Sequence, residues 1–311
     1  MLLNNLSGEG LFDERPTTQR VWDVLFCALR RSRGFARKGA FRTQTGFISK
    51  MIKADRLAMR PFLLMVLFLS AFTLAQDNRP AEARSPSPVF TDDFSAGTLD
   101  KTKWFIDTGR APGNIAAVNQ GTLSADHVDL STGMLRLKLM QNMSGGLATS
   151  VGSEIRSKQL FGYGTYVWIA RAASTSATPH GTGSAVSGTV TDVFNFIDDS
   201  KTEIDFEYQG QTPSTLEMTN YSTVSHNQST STPVPGADSS FHEYKYVWTA
   251  AKIEFYVDGN LVSTHTEHIP SAPAAILINL WGTNSKSFGG VATDGATSYL
   301  YVSSVSYTPL P

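Results

Sequence analysis

The sequence predicts an all-β domain built as a sandwich of antiparallel strands. Short runs that alternate apolar and polar residues recur along the chain, and turn residues separate them. The pair Asp258-Gly259 lies between two such runs, and both residues tolerate the positive φ of a tight hairpin. Neither a long amphipathic helix nor an internal repeat is recognisable. The runs expected to be strands are 128–139, 164–169, 252–257 and 299–307, and the polar segments 173–191 and 222–240 are expected to be loops at a cleft rim.

Residues 61–75 predict an export signal. They form a short apolar run that follows Lys53, Arg56 and Arg60 and ends in small residues, with a cut expected near Ala75. The run is shorter than the about 20 apolar residues of a membrane span, so we expect a cleaved signal and no span in the mature protein. The product would be secreted or periplasmic.

The position of this signal predicts four segments: an upstream stretch, the signal itself, a linker and a folded domain. Because signals begin close to the initiator, 51–75 is expected to be the signal peptide, and 1–50 a non-native upstream or disordered segment. Alternatively, the basic residues within 30–42 flank an uncleaved anchor on its cytoplasmic side. The proline-containing stretch 76–88 predicts a disordered linker, which leaves 89–311 for the folded domain.

Residues 203–207, Glu-Ile-Asp-Phe-Glu, carry the most distinctive pattern of the chain. On a β-strand this alternation puts three carboxylates on one face and two apolar side chains on the other. Glu203 and Glu207 would have Cα atoms about 13 Å apart at ~3.3 Å per residue. Their long side chains can bring the carboxyl groups to the about 5–5.5 Å that suits retaining glycoside hydrolysis. A solvated strand face with incidental acids is the alternative.

Retaining cleavage needs an ionised carboxylate as nucleophile and a protonated carboxylic acid that donates to the leaving oxygen. Three acids on one face can supply both, because their mutual repulsion keeps a proton in the cluster toward neutral pH. Asp205 lies between the two glutamates and can hydrogen-bond the nucleophile.

Four motifs in order resemble glycoside hydrolase family 16, whose active strand carries Glu-x-Asp-x-Glu. Besides 203–207, they are 153–157 with 160–164, 241–259, and the Asn-Leu-Trp of 279–281. The resemblance runs from about Phe90 to Tyr307 and implies a concanavalin A-like β-jelly-roll sandwich of two antiparallel sheets. It also implies that Glu203 is the nucleophile, Asp205 the assisting acid and Glu207 the general acid and base.

The family further implies substrate contacts for Glu154, Arg156, Asn220, Tyr221 and Trp281. Each has a competing structural interpretation. Glu154 and Arg156 can form a surface ion pair of little energetic consequence, and Trp281 can be a core residue. The active strand has no inserted residue, which is similar to the lichenase and xyloglucan-transglycosylase branches.

Three positions depart from the family pattern. Lys201-Thr202 stands where lichenases have Trp-Asp before the first catalytic glutamate, so mixed-linkage specificity is not inherited directly. Ser303 takes the place of an aspartate of a structural calcium site; because one charged ligand is lost, no cofactor is expected and calcium is doubtful. Phe288 is the candidate for a second aromatic platform.

Composition and residue spacing argue against a nucleic-acid-binding protein, a disulfide-rich protein and a metalloenzyme. The net charge of −1 gives no argument for nucleic acid as a partner. Cys27, the one cysteine, precedes the domain, so neither a disulfide nor a thiolate metal site is expected within it. His180, His226 and His242 lack metal-ligand spacing. Asp192, Asp198 and Asp199 precede the active strand, where turn chemistry explains at least the last two.

These observations predict a monomeric, retaining, endo-acting hydrolase of a β-linked polysaccharide, with a β-1,3-1,4- or β-1,3-glucan favoured. One alternative is a transglycosylase that passes the same intermediate to a sugar hydroxyl. The other is a noncatalytic, lectin-like carbohydrate-binding protein, although pure binding gains nothing from paired acids that repel each other. The choice of polysaccharide depends on the loops around the cleft.

Overall fold

The computed structural model describes residues 90–197 and 201–310, and within them the all-β prediction is confirmed. The predicted upstream segment 1–50, signal 51–75 and linker 76–88 lie outside the described residues. The described part holds seventeen strands and one short 3₁₀-helix, Ala125–His127. None of its helices has the length and apolar character to cross a membrane. The strands are β1 Phe90–Asp92, β2 Trp104–Asp107, β3 Gly109–Arg110, β4 Asn119–Leu123, β5 Val128–Asp129, β6 Leu135–Ser144, β7 Leu147–Phe161, β8 Gly164–Ser174, β9 Thr189–Ile197, β10 Thr202–Gln209, β11 Thr215–Thr223, β12 His226–Pro233, β13 His242–Trp248, β14 Ile253–Val257, β15 Asn260–His265, β16 Ala274–Gly282 and β17 Thr297–Pro309.

Two sheets form the sandwich. One has the order β2-β7-β16-β9-β10-β11-β12, and all of these pairings are antiparallel. The other runs β5-β6-β17-β8-β13-β14-β15. Strand β7 belongs to both, because its first residues pair with β6 and its later ones with β16 and β2. Strand β10 therefore lies inside the first sheet, with a partner on each side.

The main core fills the space between the sheets. Ile204, Phe206 and Tyr208 of β10 are buried there against the aromatic residues of β8 and β13. The ring of Phe206 meets that of Trp168 edge to face at 6.3 Å. The apolar face of β10 is thus fixed in the core, and its alternate residues point to the opposite side of the sheet.

The predicted hairpin is confirmed and one predicted loop is wrong. Asp258 and Gly259 have φ of 48° and 77°, the left-handed values of a tight turn. Residues 222–240 were expected to be a loop, but β12 lies within them and pairs with β11. Its sequence, His-Asn-Gln-Ser-Thr-Ser-Thr-Pro, has no apolar residue because the strand lies at the sheet edge with alternate residues exposed.

Candidate active site

Strand β10 presents Glu203, Asp205 and Glu207 on one face, as the alternation predicts, and Gln209 continues the row. They line a cleft of about 520 Å³ together with residues of β9, β11, β12 and β16. The side chains of Glu203 and Asp205 are buried, with 2% and 9% of their surface exposed. The three predicted acids are therefore brought together on the wall of this cleft.

Backbone register continues this row across the sheet. Glu207 lies opposite Glu217 of β11 on one side and Asp192 of β9 on the other. Asp192 is in turn opposite Asn279 of β16, and Asn279 is opposite Glu154 of β7. Directly opposite residues have Cβ atoms about 4.5–5.5 Å apart, so each side chain in the row is a neighbour of the next.

Burial and like charge oppose ionisation in the row. Burial raises the pKa of Asp205 well above its ordinary value, and the charges of Glu203 and Asp192 raise it further. Burial likewise raises the pKa of Glu207, with Asp192 and Glu217 adding to the effect. A carboxyl group that keeps its proton near neutral pH can act as a general acid. The site can thus hold a protonated acid beside other carboxylates.

Gln209 fixes the orientation of Glu207. Its Nε2 donates to Glu207 Oε1 at 2.9 Å, and its Oε1 accepts from the Gly289 backbone N–H at 2.8 Å. Gln211 Nε2 also donates to Gln209 Oε1, at 3.1 Å. Gln209 therefore connects Glu207 to the loop after β16. Sequence analysis missed this residue, although extending the period of two by one step would have found it.

Glu154 and Arg156 lie farther along the same sheet. Arg156 donates to both carboxylate oxygens of Asp107, at 2.9 and 3.0 Å, and its guanidinium lies 5.0 Å from the ring centre of Phe105. Glu154 Oε2 accepts a 3.0 Å hydrogen bond from Asn279 Nδ2. Burial raises the pKa of Glu154 to about 8, and the nearby charge of Asp107 contributes. The two predicted binding residues are neighbours, but each is engaged with a protein partner.

We expect Glu154→Gln to stabilise the protein at pH 8 and to have a diminishing effect at lower pH. The pKa of Glu154 is higher in the folded state than the ordinary 4.5 of the unfolded chain, so the folded state holds this proton more tightly. Below about pH 4.5 both states are protonated, and ionisation of Glu154 then takes nothing from the free energy of unfolding. Part of that free energy is lost as pH rises toward about 8. A neutral amide avoids that loss, with a gain of about 1–3 kcal/mol at the upper end. Urea unfolding at several pH values would measure it, and a gain that does not vary with pH would contradict the explanation.

The structure separates Asn220 from Tyr221. Tyr221 lies opposite Glu203 and lines the cleft. Asn220 points to the other side of the sheet, where its Nδ2 donates to the backbone oxygens of Glu267 and His268 at 3.1 and 2.8 Å. Burial lowers the pKa of His265 to about 4, so the neutral ring donates from Nδ1 to Asn220 Oδ1 at 2.6 Å. The predicted substrate contact of Asn220 is therefore corrected, because adjacent strand residues face opposite ways and this one secures a loop.

Trp281 lies in the cleft wall, but its surface is only 1% exposed. Phe288 stacks on it, with ring centres 6.0 Å apart and planes at 26°. A Cβ at Gly113, where φ is +68°, would overlap the Trp281 ring on another side. The substrate contact predicted for Trp281 stays a prediction; in this structure the ring of Phe288 lies against it. Its indole Nε1 donates to Asp192 Oδ2 at 3.1 Å.

Ser303, at the predicted calcium position, has its Oγ 3.3 Å from the carbonyl oxygen of Ile169, to which it donates. Within residues 90–197 and 201–310, no group of three or more His, Cys, Asp or Glu side chains is arranged to hold a metal ion.

A jelly-roll sandwich with alternating acids on a cleft-lining strand defines the class of glycoside hydrolases. Residues 117–297 match the family described as "Glycosyl hydrolases family 16", and the chain belongs to that family, as the sequence motifs predict. It is 32% identical over 203 residues to an endo-1,3-1,4-beta-glycanase, ExoK, of Rhizobium meliloti, covering 63% of this chain and 69% of that protein. It is 31% identical over 188 residues to a beta-glucanase of Brevibacillus brevis, covering 57% and 68%. The structure of the Bacillus licheniformis beta-glucanase superimposes with a TM-score of 0.60 at 25% identity, covering 72% of this chain and 99% of that one.

Proposed function

We propose that the protein is a retaining endo-β-glucanase that cleaves β-1,3-1,4- or β-1,3-glucan. The observation that carries this proposal is the placement of Glu203, Asp205 and Glu207 on the cleft face of β10, with burial holding protons in the row. The names of the related beta-glucanases support a β-glucan as substrate.

In this mechanism Glu203 attacks the anomeric carbon while Glu207 donates its proton to the leaving glycosidic oxygen. Asp205, between them on the same face, is placed to hydrogen-bond the nucleophile. Glu207, now a carboxylate, then takes a proton from water, which attacks the glycosyl-enzyme and frees Glu203 with net retention. Gln209 keeps Glu207 oriented through both steps, because its amide donates to the carboxyl oxygen in the resting structure.

Two finer points belong to the same proposal. The apolar run 61–75 and its basic flank support export by a cleaved signal, with 89–311 as a monomeric catalytic domain. Tyr221, lining the cleft opposite Glu203, and the pair Glu154 and Arg156 on the same sheet support a substrate path across the strands.

The test is to incubate the purified protein with mixed-linkage glucan, β-1,3-glucan, xyloglucan and galactan, and to determine product masses. We expect one or both of the first two to be cut into short oligosaccharides. Products longer than an oligosaccharide supplied as substrate would indicate transglycosylation instead. Binding without turnover, unchanged in Glu203→Gln, would contradict the proposal and indicate a lectin.

A further inference from the structure

Asp192 is a buried carboxyl group for which the mechanism above has no role. It lies in the middle of β9, directly opposite Glu207, and 4% of its surface is exposed. Its Oδ2 accepts the hydrogen bond of the Trp281 indole N–H. Its Oδ1 is buried and has no hydrogen-bond partner among the described residues. A buried carboxylate oxygen that accepts no hydrogen bond destabilises the fold, so the protonation state of Asp192 needs an explanation.

Asn279, the neighbour of Asp192 on the other side, also has a buried oxygen without a hydrogen-bond donor in the ranges that the structure describes. Asn279 lies opposite Asp192 on β16 and donates from Nδ2 to Glu154, which directs its Oδ1 elsewhere. That Oδ1 is also buried and lacks a hydrogen-bond partner within the described part of the chain. Two acceptors on directly opposed residues cannot satisfy each other, but a proton on Asp192 Oδ1 would convert one of them into a donor.

We propose that Asp192 is a positioning residue that shares one proton with Glu207. The inference rests on the proposed function, in which Glu207 is the general acid. When the proton is on Asp192, its Oδ1 donates toward Asn279 Oδ1. When it is on Glu207, the Asp192 carboxylate is held by the Trp281 N–H and its charge opposes ionisation of Glu207. Glu207 thereby remains an acid at a pH where an isolated glutamic acid would have ionised.

The surroundings of Asp192 support sharing within this pair. The polar and charged neighbours of Asp192 come from the strands on both sides of it: Glu207, Asp205 and Glu203 of β10, Glu217 of β11, Asn279 and Trp281 of β16, and Glu154 one strand beyond. Among the residues that line the cleft, Lys286 supplies the positive charge. Burial raises the pKa of Asp192 to about 7, against the opposing effect of the Trp281 hydrogen bond. Carboxyl groups therefore surround Asp192 on the cleft face, and a shared proton lowers their repulsion.

The matched pair of variants is Asp192→Asn and Glu217→Gln, which replace a carboxyl by an amide on either side of Glu207. In hydrolysis of the β-glucan that wild type cleaves, we expect Asp192→Asn to move the alkaline limb of kcat/KM to lower pH by about one unit. The direction follows because the amide removes a negative charge that helps Glu207 keep its proton. Glu217 is half-exposed and more strongly screened, so Glu217→Gln should move the limb less. An unmoved limb in Asp192→Asn, or equal shifts in both variants, would overturn the proposal.

A second measurement does not depend on the substrate. Infrared spectra of wild type taken through about pH 7 should show a protonated carboxyl C=O band, and the part of that band that disappears near pH 7 should be weaker in Asp192→Asn, which has one carboxyl group fewer. Trp281→Phe removes the N–H that stabilises the ionised form, so the band should persist to higher pH, and this variant serves if Asp192→Asn does not fold. A band identical in all three proteins would overturn the proposal. If wild type cleaves no β-glucan, the proposed function fails, and the infrared result alone decides on the shared proton.

Discussion

Glu203→Ala is expected to lower kcat on β-glucan by at least about 10⁴-fold, because no other group can form the glycosyl-enzyme. Added azide should restore turnover of an aryl β-glycoside that needs little acid assistance. The small anion enters the space left by the missing carboxylate and attacks the anomeric carbon from the same side. The product should therefore be an α-glycosyl azide, with configuration inverted, and NMR of the product would identify it.

Glu207→Ala is the matched control for that experiment. Here Glu203 still forms the glycosyl-enzyme with the aryl glycoside, but no base activates water for its release. Azide would then attack from the opposite side and give the β-glycosyl azide with net retention. Exchange of the two anomeric outcomes would reverse the assignment of nucleophile and acid. Absence of rescue in both variants would contradict the double displacement.

Arg171→Met is expected to lower the free energy of unfolding by about 3 kcal/mol. The Arg171 side chain is fully buried in β8 and donates to three acceptors at 2.9 Å each: the backbone oxygens of Asp238 and Pro179 and the hydroxyl of Ser174. Methionine fills similar volume but removes all three donors, which leaves the Ser174 hydroxyl with only the 3.4 Å bond from the Ser176 N–H and the two half-buried backbone oxygens without the guanidinium. Urea denaturation of both proteins would measure the difference.

Lys252→Met provides the comparison for Arg171→Met. Lys252 Nζ lies 2.7 Å from Glu254 Oε1, but the lysine side chain is 44% exposed. An ion pair in that position contributes roughly 0–1 kcal/mol. A loss in Lys252→Met as large as that in Arg171→Met would show that neither value reports on buried hydrogen bonds.

The sequence predicted the acidic face of strand β10 well because its signal is local. Alternation in 203–207 determines which side chains share a face wherever the strand is placed, and the apolar Ile204 and Phe206 identify the buried side. The edge strand β12 was missed for the opposite reason. Its polar residues carry no burial signal, and only its pairing with β11 makes it a strand.

The rest of the site could not be predicted from local pattern. Asp192 becomes part of the row only because β9 pairs with β10 in a register that places it opposite Glu207. The Asn-Leu-Trp motif predicts that Trp281 stacks on a sugar ring, but the motif does not show that the ring of Phe288, seven residues later, packs against it. Asn220 lies next to a cleft residue in sequence, and strand geometry sends it to the other face.

The row of acids also has a consequence for how the chain folds. Strands β9, β10 and β11 follow one another in sequence, so their pairing needs only short loop closures. The Trp281–Asp192 bond joins residues 89 apart, and β16 must insert between β9 and β7 to make it. Because this contact closes a much longer loop, we expect β16 to insert late, and its insertion buries the carboxyl groups. We therefore expect refolding, followed by stopped-flow fluorescence, to be faster at mildly acidic than at neutral pH, because protonated carboxyl groups are easier to bury than charged ones.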